Sequence, residues 1–461
     1  MLDADYDLAR GLLEGLLHWR RDAVAGRPSR VLSRVLGEGG RAAPEELGRL
    51  AREIYYGGHA AAVLEEATAA LDRAMQRASS VRRAAEIAMM RRHCDSARTD
   101  LAAIMEHNRA LPPRPALALP PRTGDRILDL AADAATAVVA QWRLGFGEVM
   151  HHSRLSPATP REIVRGDIFQ RALIADALSD LPAPWPSALA PMLAEELAYL
   201  HEARRCPVRG WSYYPTLDEL PPDADTLGQI LQVTLRLGRR DLVPSFDEPI
   251  RQAVGVGALG DGSFATWIVP PPGERSALHA RQAALVGPPS ADPEVVANLG
   301  YAMALLDRDR YSHELASAAR WVAARQKSGA WTATWYLGSA YATYVCARLL
   351  AVQRGFPIAL DVARRTLLDS QRSDGGWGRK GETDSNALDT ALVLLALDAI
   401  GGPAAAEPAL SRALDYLSSF APDRWPSVPF IRHSNDDVRP LASRTITAAF
   451  VAKACARLAA H

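Results

Sequence analysis

The 461-residue chain is short of cysteine, of lysine, of net charge and of strand-like patterning, and each shortage excludes something. Cys94, Cys206, Cys346 and Cys455 stand singly, with no Cys-x-x-Cys and no zinc-finger spacing. Neither a disulfide scaffold nor a structural zinc site is written in them, and a reduced cytoplasm suits them. Lysine occurs at Lys327, Lys380 and Lys453 alone; arginine supplies the remaining positive charge. Basic and acidic residues both number 53, which argues against a protein that holds nucleic acid by bulk charge. No apolar run approaches the roughly 20 residues that span a bilayer. Asp3, Asp5 and Asp7 have the wrong sign for a secretory leader. The expectation is a soluble cytoplasmic protein, with peripheral membrane contact compatible and the oligomeric state unspecified.

Catalytic signatures are missing too. The acid pairs Glu45-Glu46, Glu65-Glu66, Glu195-Glu196 and Asp436-Asp437 lack the Asp-Asp-x-x-Asp pattern that gathers magnesium on a helix. There is no phosphate-cradling glycine loop and no nucleophile elbow. His151-His152 has no third ligand in view, so it is not read as metal-binding.

What the chain does have is helical periodicity, punctuated by prolines. Pro112, Pro113, Pro115, Pro120 and Pro121 mark a linker. It separates an N-terminal helical domain, 1–122 with the linker, from residues 123–461. Beyond it, helices alternate with loops that carry Trp211, Trp267, Trp331, Trp377 and Trp425. Two loops share a signature: Gln326-Lys327-Ser328-Gly329-Ala330-Trp331 and Gln371-Arg372-Ser373-Asp374-Gly375-Gly376-Trp377. Asp261 to Trp267 is a looser copy. Six inner helices are expected near 161–181, 226–238, 292–307, 335–351, 384–400 and 441–459. Ala391 to Leu397 is apolar on every face, which marks a helix with no solvent side. Six more polar outer helices fall near 125–148, 187–205, 246–257, 312–326, 358–371 and 407–420. The fold class is all-α, an (α/α)6 barrel with Gln/Gly/Trp repeats plus a small N-terminal helical domain. An open solenoid of the same helix pairs is the alternative.

Ahead of the second inner helix stand Trp211-Ser212-Tyr213-Tyr214 and Pro221-Pro222-Asp223-Ala224-Asp225-Thr226-Leu227. With the Gln…Gly-x-Trp repeats, this Asp-x-Asp-Thr makes residues 160–461 resemble the class II terpene cyclases, the squalene–hopene cyclase-like family. The resemblance implies an enzyme that protonates a linear isoprenoid. Asp225 would be the general acid, and Asp223 and Thr226 its hydrogen-bonding supports. Leu227 stands where the sesquiterpene version of the motif has a second Thr.

The residues suit that chemistry. An alkene is a poor base, so its protonation needs a strong acid shielded from water. Burial keeps a carboxyl protonated near neutral pH, and a helix N-terminus stabilises the carboxylate left behind. Aromatic faces then stabilise the cation by about 0.5–2 kcal/mol each. Trp211, Tyr213, Tyr214, Phe264, Trp267, Trp335, Tyr336 and Phe430 are the candidates to line its path, with Trp331 and Trp377 read as packing anchors. Arg379 and Lys380 could hold a diphosphate, and magnesium would accompany such a head group although no motif demands it. A prenyl diphosphate is favoured over squalene because no membrane-docking helix is evident.

Plainer readings stand beside this one. Asp223 and Asp225 could simply cap a helix, as could Asp384, and His433 could orient an acid or do nothing. Asp225 with Asp384 across a barrel mouth would suit a carboxylate-pair glycosidase. A non-catalytic carrier of a greasy ligand is the third alternative.

Overall fold

The computed structural model describes residues 59–92, 94–95, 114, 116–154, 163–204, 210–215, 217–422, 424–432 and 440–460. Most of the expected N-terminal helical segment, Cys206 and His433 lie outside the described residues. The chain divides into two compact units, residues 1–116 with 140–165 and residues 117–139 with 166–461. The division differs from the expected boundary at 122/123 in assigning 117–122 to the second unit and 140–165 to the first. In that unit α1 (His59–Gln76) buries Ala67, Ala70, Leu71 and Ala74 at helical spacing.

The second unit is built on six inner helices: α3 (Ile168–Leu178), α5 (Ala224–Arg236), α8 (Pro293–Asp307), α10 (Ala340–Gln353), α12 (Ala387–Gly401) and α14 (Arg444–Ala459). Each packs on the next, and α14 packs back on α3, so the ring closes. That closure excludes the open solenoid. Outer helices α4 (Trp185–Glu202), α9 (Ser312–Ala323), α11 (Pro357–Asp369) and α13 (Pro403–Ser418) each pack on the inner helix before them in sequence. Another outer position is irregular. Residues 240–246 form a 3₁₀ turn, α6 covers only Asp247–Arg251, and a π turn follows over 252–256. Pro244 and Pro249 interrupt the helical ladder there. The order is completed by α2 (Arg126–Arg143) and by α7 (Ala277–Val286), a helix the pattern did not announce.

The inner helices are buried on all sides because one face meets the ring's interior and the other meets the outer helices. Every residue of α12 from Ala387 to Asp398 is buried. Short strands, absent from the expectation, pair β1 (His151–Arg154) with β2 (Ile163–Gly166) and β3 (Val428–Ile431) with β4 (Leu441–Ser443). At three or four residues they are too short for alternation to register.

The repeat loops work as clamps. The Trp331 indole N–H donates to the Val322 carbonyl (2.7 Å) and that of Trp377 to the Leu367 carbonyl (2.8 Å), both in the preceding outer helix. Their backbone N–H groups donate to Thr343 and Thr390 of the following inner helices. Gln326 and Gln371 reach forward, donating to the Ala359 and Ala409 carbonyls of the next outer helices at 2.8 and 2.9 Å. Each loop thus ties three helices together.

Candidate active site

Asp223 is the N-cap of α5. Its carboxylate accepts from the Thr226 backbone N–H at 2.6 Å and from the Thr226 hydroxyl at 2.9 Å. This is the local reason the helix starts here, two residues earlier than the apolar pattern suggests. The start is also pinned from outside. The Asp223 N–H donates to the Trp211 carbonyl, and the Ala224 N–H to the Thr266 carbonyl.

Asp225 therefore falls in the first turn of α5, at the positive end of the helix dipole, and is 6% exposed. The bonds that reach its side chain do not come from Asp223 or Thr226. The Tyr336 hydroxyl donates to Oδ2 at 2.5 Å, and the Asn298 amide donates to Oδ1 at 2.7 Å. The expected supports bond each other instead, since a cap must turn its oxygens toward its own helix. Burial pushes the Asp225 carboxyl well above the usual carboxylate range; the Tyr336 and Asn298 bonds pull against it, while Asp223 and Glu294 add like-charge repulsion. Burial also raises Asp223, to about 6, and Glu294, to about 7. Three buried acids thus share this end of the ring, and among the described residues no cation is bonded to any of them.

Close helix packing makes the Asn298 contact reachable. At Gly228 a Cβ would lie 2.8 Å from the Leu299 Cα, so only glycine lets α5 and α8 approach this far. Tyr336 is carried by a loop rather than by α10, which starts at Ala340 instead of near 335. The loop is fixed by the Leu337 N–H donating to the Phe430 carbonyl and the Arg432 N–H donating to the Trp335 carbonyl. Glu294 accepts from the Thr334 and Trp335 N–H groups (2.6 and 3.0 Å), and Asp292 accepts from the Trp335 indole at 2.9 Å.

The aromatic candidates separate into groups. Tyr336 and Phe430 lie together, ring centroids 5.1 Å apart, in a cluster completed by Phe169, Tyr341 and Phe450 of the inner helices. Tyr213 joins through Phe169 and accepts a bond from Gln170; Tyr214 packs edge-on against it. Trp267 and Trp335 form a separate T-shaped pair. Trp211 stacks on Phe246 and donates to the Leu200 carbonyl, which is the packing geometry of Trp331 and Trp377. Phe264 is buried in a loop bridged to Ala258. Phe169, Tyr341, Phe450 and Asn298 escaped sequence reasoning. The first three look like ordinary core residues. Asn298 did carry a signal, as an amide inside an apolar helical run.

Arg379 is already engaged. Its guanidinium donates to the Pro429 carbonyl and lies 3.5 Å from Glu382 and 3.8 Å from Asp389. Lys380 is exposed. Asp384 is exposed as well, so the acids beside Asp225 are Asp223 and Glu294 rather than the partner a glycosidase reading named.

No family model matches the chain. Solved structures do. The apo type II terpene cyclase MstE from Scytonema superposes with a TM-score of 0.55 at 19% identity, over 73% of this chain and 98% of that one. An arginine-to-alanine variant of MstE bound to geranylgeranyl dihydroxybenzoate, its substrate, gives 0.54 at 19% identity over 72% and 99%. A protein from Actinoplanes gives 0.55 at 18% identity over 73% of this chain and 100% of its own. The chain has the fold of the type II terpene cyclases. By sequence it is 34% identical over 112 residues to the ent-copalyl diphosphate synthase of Streptomyces sp. strain KO-3988; the match spans 22% of each chain.

Proposed function

We propose that the protein is a class II terpene cyclase that starts ring formation by protonating an isoprenoid alkene from Asp225. The observation that carries this reading is a carboxyl 6% exposed, seated in the first turn of a helix, held by Tyr336 and Asn298 and bonded to no cation among the described residues. An acid so placed keeps its proton at rest because its anion is poorly solvated. Once the proton has passed to the alkene carbon, the carboxylate is met by two hydrogen-bond donors and the helix N-terminus. Asp223 builds the turn that presents Asp225, and its own charge adds to the bias against ionisation. Tyr336, Phe430, Phe169, Tyr341, Phe450 and Tyr213 offer ring faces to the growing cation and no basic lone pair of comparable reactivity.

The named activities of the relatives define what to offer the protein. A linear prenyl diphosphate leads, and a prenylated dihydroxybenzoate follows. Purified wild-type protein and Asp225→Asn are incubated with prenyl diphosphates of several lengths, with geranylgeranyl dihydroxybenzoate and with squalene. Cyclic product is expected from wild type, and less than about 1% of that rate from the variant, since a positioned general acid supplies 10²–10⁴-fold. Equal product from both proteins would remove Asp225 from the chemistry.

A further inference from the structure

Asn298 is held from behind. Its Nδ2 donates to Asp225, while its Oδ1 accepts from Gln232 Nε2 at 2.7 Å and from Arg348 Nη2 at 3.1 Å. A primary amide has one acceptor end and one donor end. With two donors fixed at its oxygen, turning it over would set N–H against N–H on one side and oxygen against oxygen on the other. The orientation that offers Asp225 a donor is therefore imposed by residues that do not touch Asp225.

Arg348 is an unusual residue for this place. It sits on α10, 7% exposed, with its guanidinium 3.9 Å from the Tyr301 ring and 4.9 Å from the Tyr344 ring. Nη1 donates to the Tyr344 hydroxyl at 3.1 Å. Among the described residues no carboxylate neutralises it by direct contact; Asp176 and Arg236 act on it only through space. A buried cation left to ring faces and an amide costs solvation free energy, and packing alone would be served as well by Leu or Met.

We propose that Arg348 is a positioning residue that orients and polarises the Asn298 amide, and so makes Asp225 a stronger acid without ionising it in the resting protein. The separation decides the effect. A guanidinium in direct contact would pair with Asp225 and leave it no proton to give. One amide further away, it strengthens the N–H that meets the carboxylate formed on proton transfer. Polarisation along the chain Arg348–Asn298–Asp225 favours the anion over the acid. The groups facing Asp225 are Asp223 from its own turn, Glu294 from α8 and Tyr336 and Tyr341 from the α10 side; those facing Arg348 are Tyr301, Tyr344, Asp176 and Arg236.

The proposal rests on the general-acid reading of Asp225, and its test separates the two. Infrared difference spectra, wild type minus Asp225→Asn, isolate the protonated carboxyl of residue 225 in protein without substrate, and a pH titration gives its midpoint. Arg348→Met should raise that midpoint by about one unit, Arg348→Gln by less because a donor to Asn298 remains, and Arg348→Lys least of all. In turnover, Arg348→Met should lower kcat about tenfold with KM changed less than twofold. Arg348→Gln serves as the informative variant should the Met protein not fold. An unmoved midpoint in both neutral variants overturns the role of Arg348 and leaves the cyclase reading standing. A carboxyl at residue 225 that is ionised at neutral pH in the wild type overturns both.

Discussion

Three buried carboxylates at the N-terminal ends of α5 and α8, and three toward the C-terminal ends of α3 and α12, meet opposite fates. At the N-terminal ends Asp223, Asp225 and Glu294 lie within hydrogen-bond reach of hydroxyls, amides and backbone N–H groups, and burial raises all three. Toward the C-terminal ends Asp176, Asp180 and Asp398 lie against cations. Lys453 Nζ is 2.7 Å from both Asp176 and Asp180. Arg236 pairs with the same two acids, and Arg457 with Asp398 at 3.0 Å. The Asp176 carboxyl is held far below its usual range by Lys453 and Arg236 in spite of burial. Burial is much the same at both ends. What differs is whether a cation touches the acid, and that decides between a carboxyl raised above its usual range and one held below it. The fastening falls at a useful seam, since Lys453 on α14 grips α3, where the ring closes.

Lys453→Met breaks the fastening end and should have the largest effect on stability. It leaves Asp176 and Asp180 sharing fewer cations in a dry interior, at a cost of about 3–5 kcal/mol. Denaturant unfolding would show the loss, and adding Asp176→Asn to the variant should recover part of it.

The N-terminal end should respond with the other sign. An acid weakened by folding binds its proton more tightly in the native state than in the unfolded one. Its contribution to stability then falls as pH rises from the unfolded value, 3.8 for Asp, through the raised native one. Asp225→Asn should therefore unfold at a higher temperature than wild type at pH 8, by an amount worth about 2 kcal/mol, with the gap narrowing toward pH 5. A gap that widens toward low pH would mean the carboxyl is ionised at rest.

Tyr336→Phe keeps the ring and deletes the donor to Asp225 Oδ2. It should weaken the acid and lower kcat about tenfold, shifting the alkaline limb of the rate profile upward in pH. Trp377→Phe touches neither end of the comparison. It should cost about 1 kcal/mol of unfolding free energy for the lost bond to Leu367 and leave kcat near wild type.

The order of the helices was legible because the repeat loops mark each return of the chain with Gln, Gly and Trp, and the Gln and Trp residues of two of them form the clamps. Asp225 was legible as a candidate because Asp-x-Asp-Thr at a helix start is a local pattern. Its partners were not. Asn298 and Tyr336 lie 73 and 111 residues further on, and only the packing of α8 on α5 and the fixing of the loop before α10 bring them to Asp225. Tyr336 was singled out as a ring face, whereas its hydroxyl is bonded to the acid. The charged fastening was present in the sequence as single polar residues in apolar runs, such as Lys453 within Phe450-Val451-Ala452-Lys453-Ala454-Cys455. A polar residue on a helix with no solvent face must find a partner on a neighbour. Local pattern says that it must, and the fold says which.

The central claim is that equal burial yields a neutral Asp225 and an ionised Asp176 in one protein. Infrared difference spectra at pH 7, wild type minus Asp225→Asn and wild type minus Asp176→Asn, measure both directly. The account predicts a protonated-carboxyl band in the first difference and a carboxylate band alone in the second. A carboxylate band for Asp225 would contradict it.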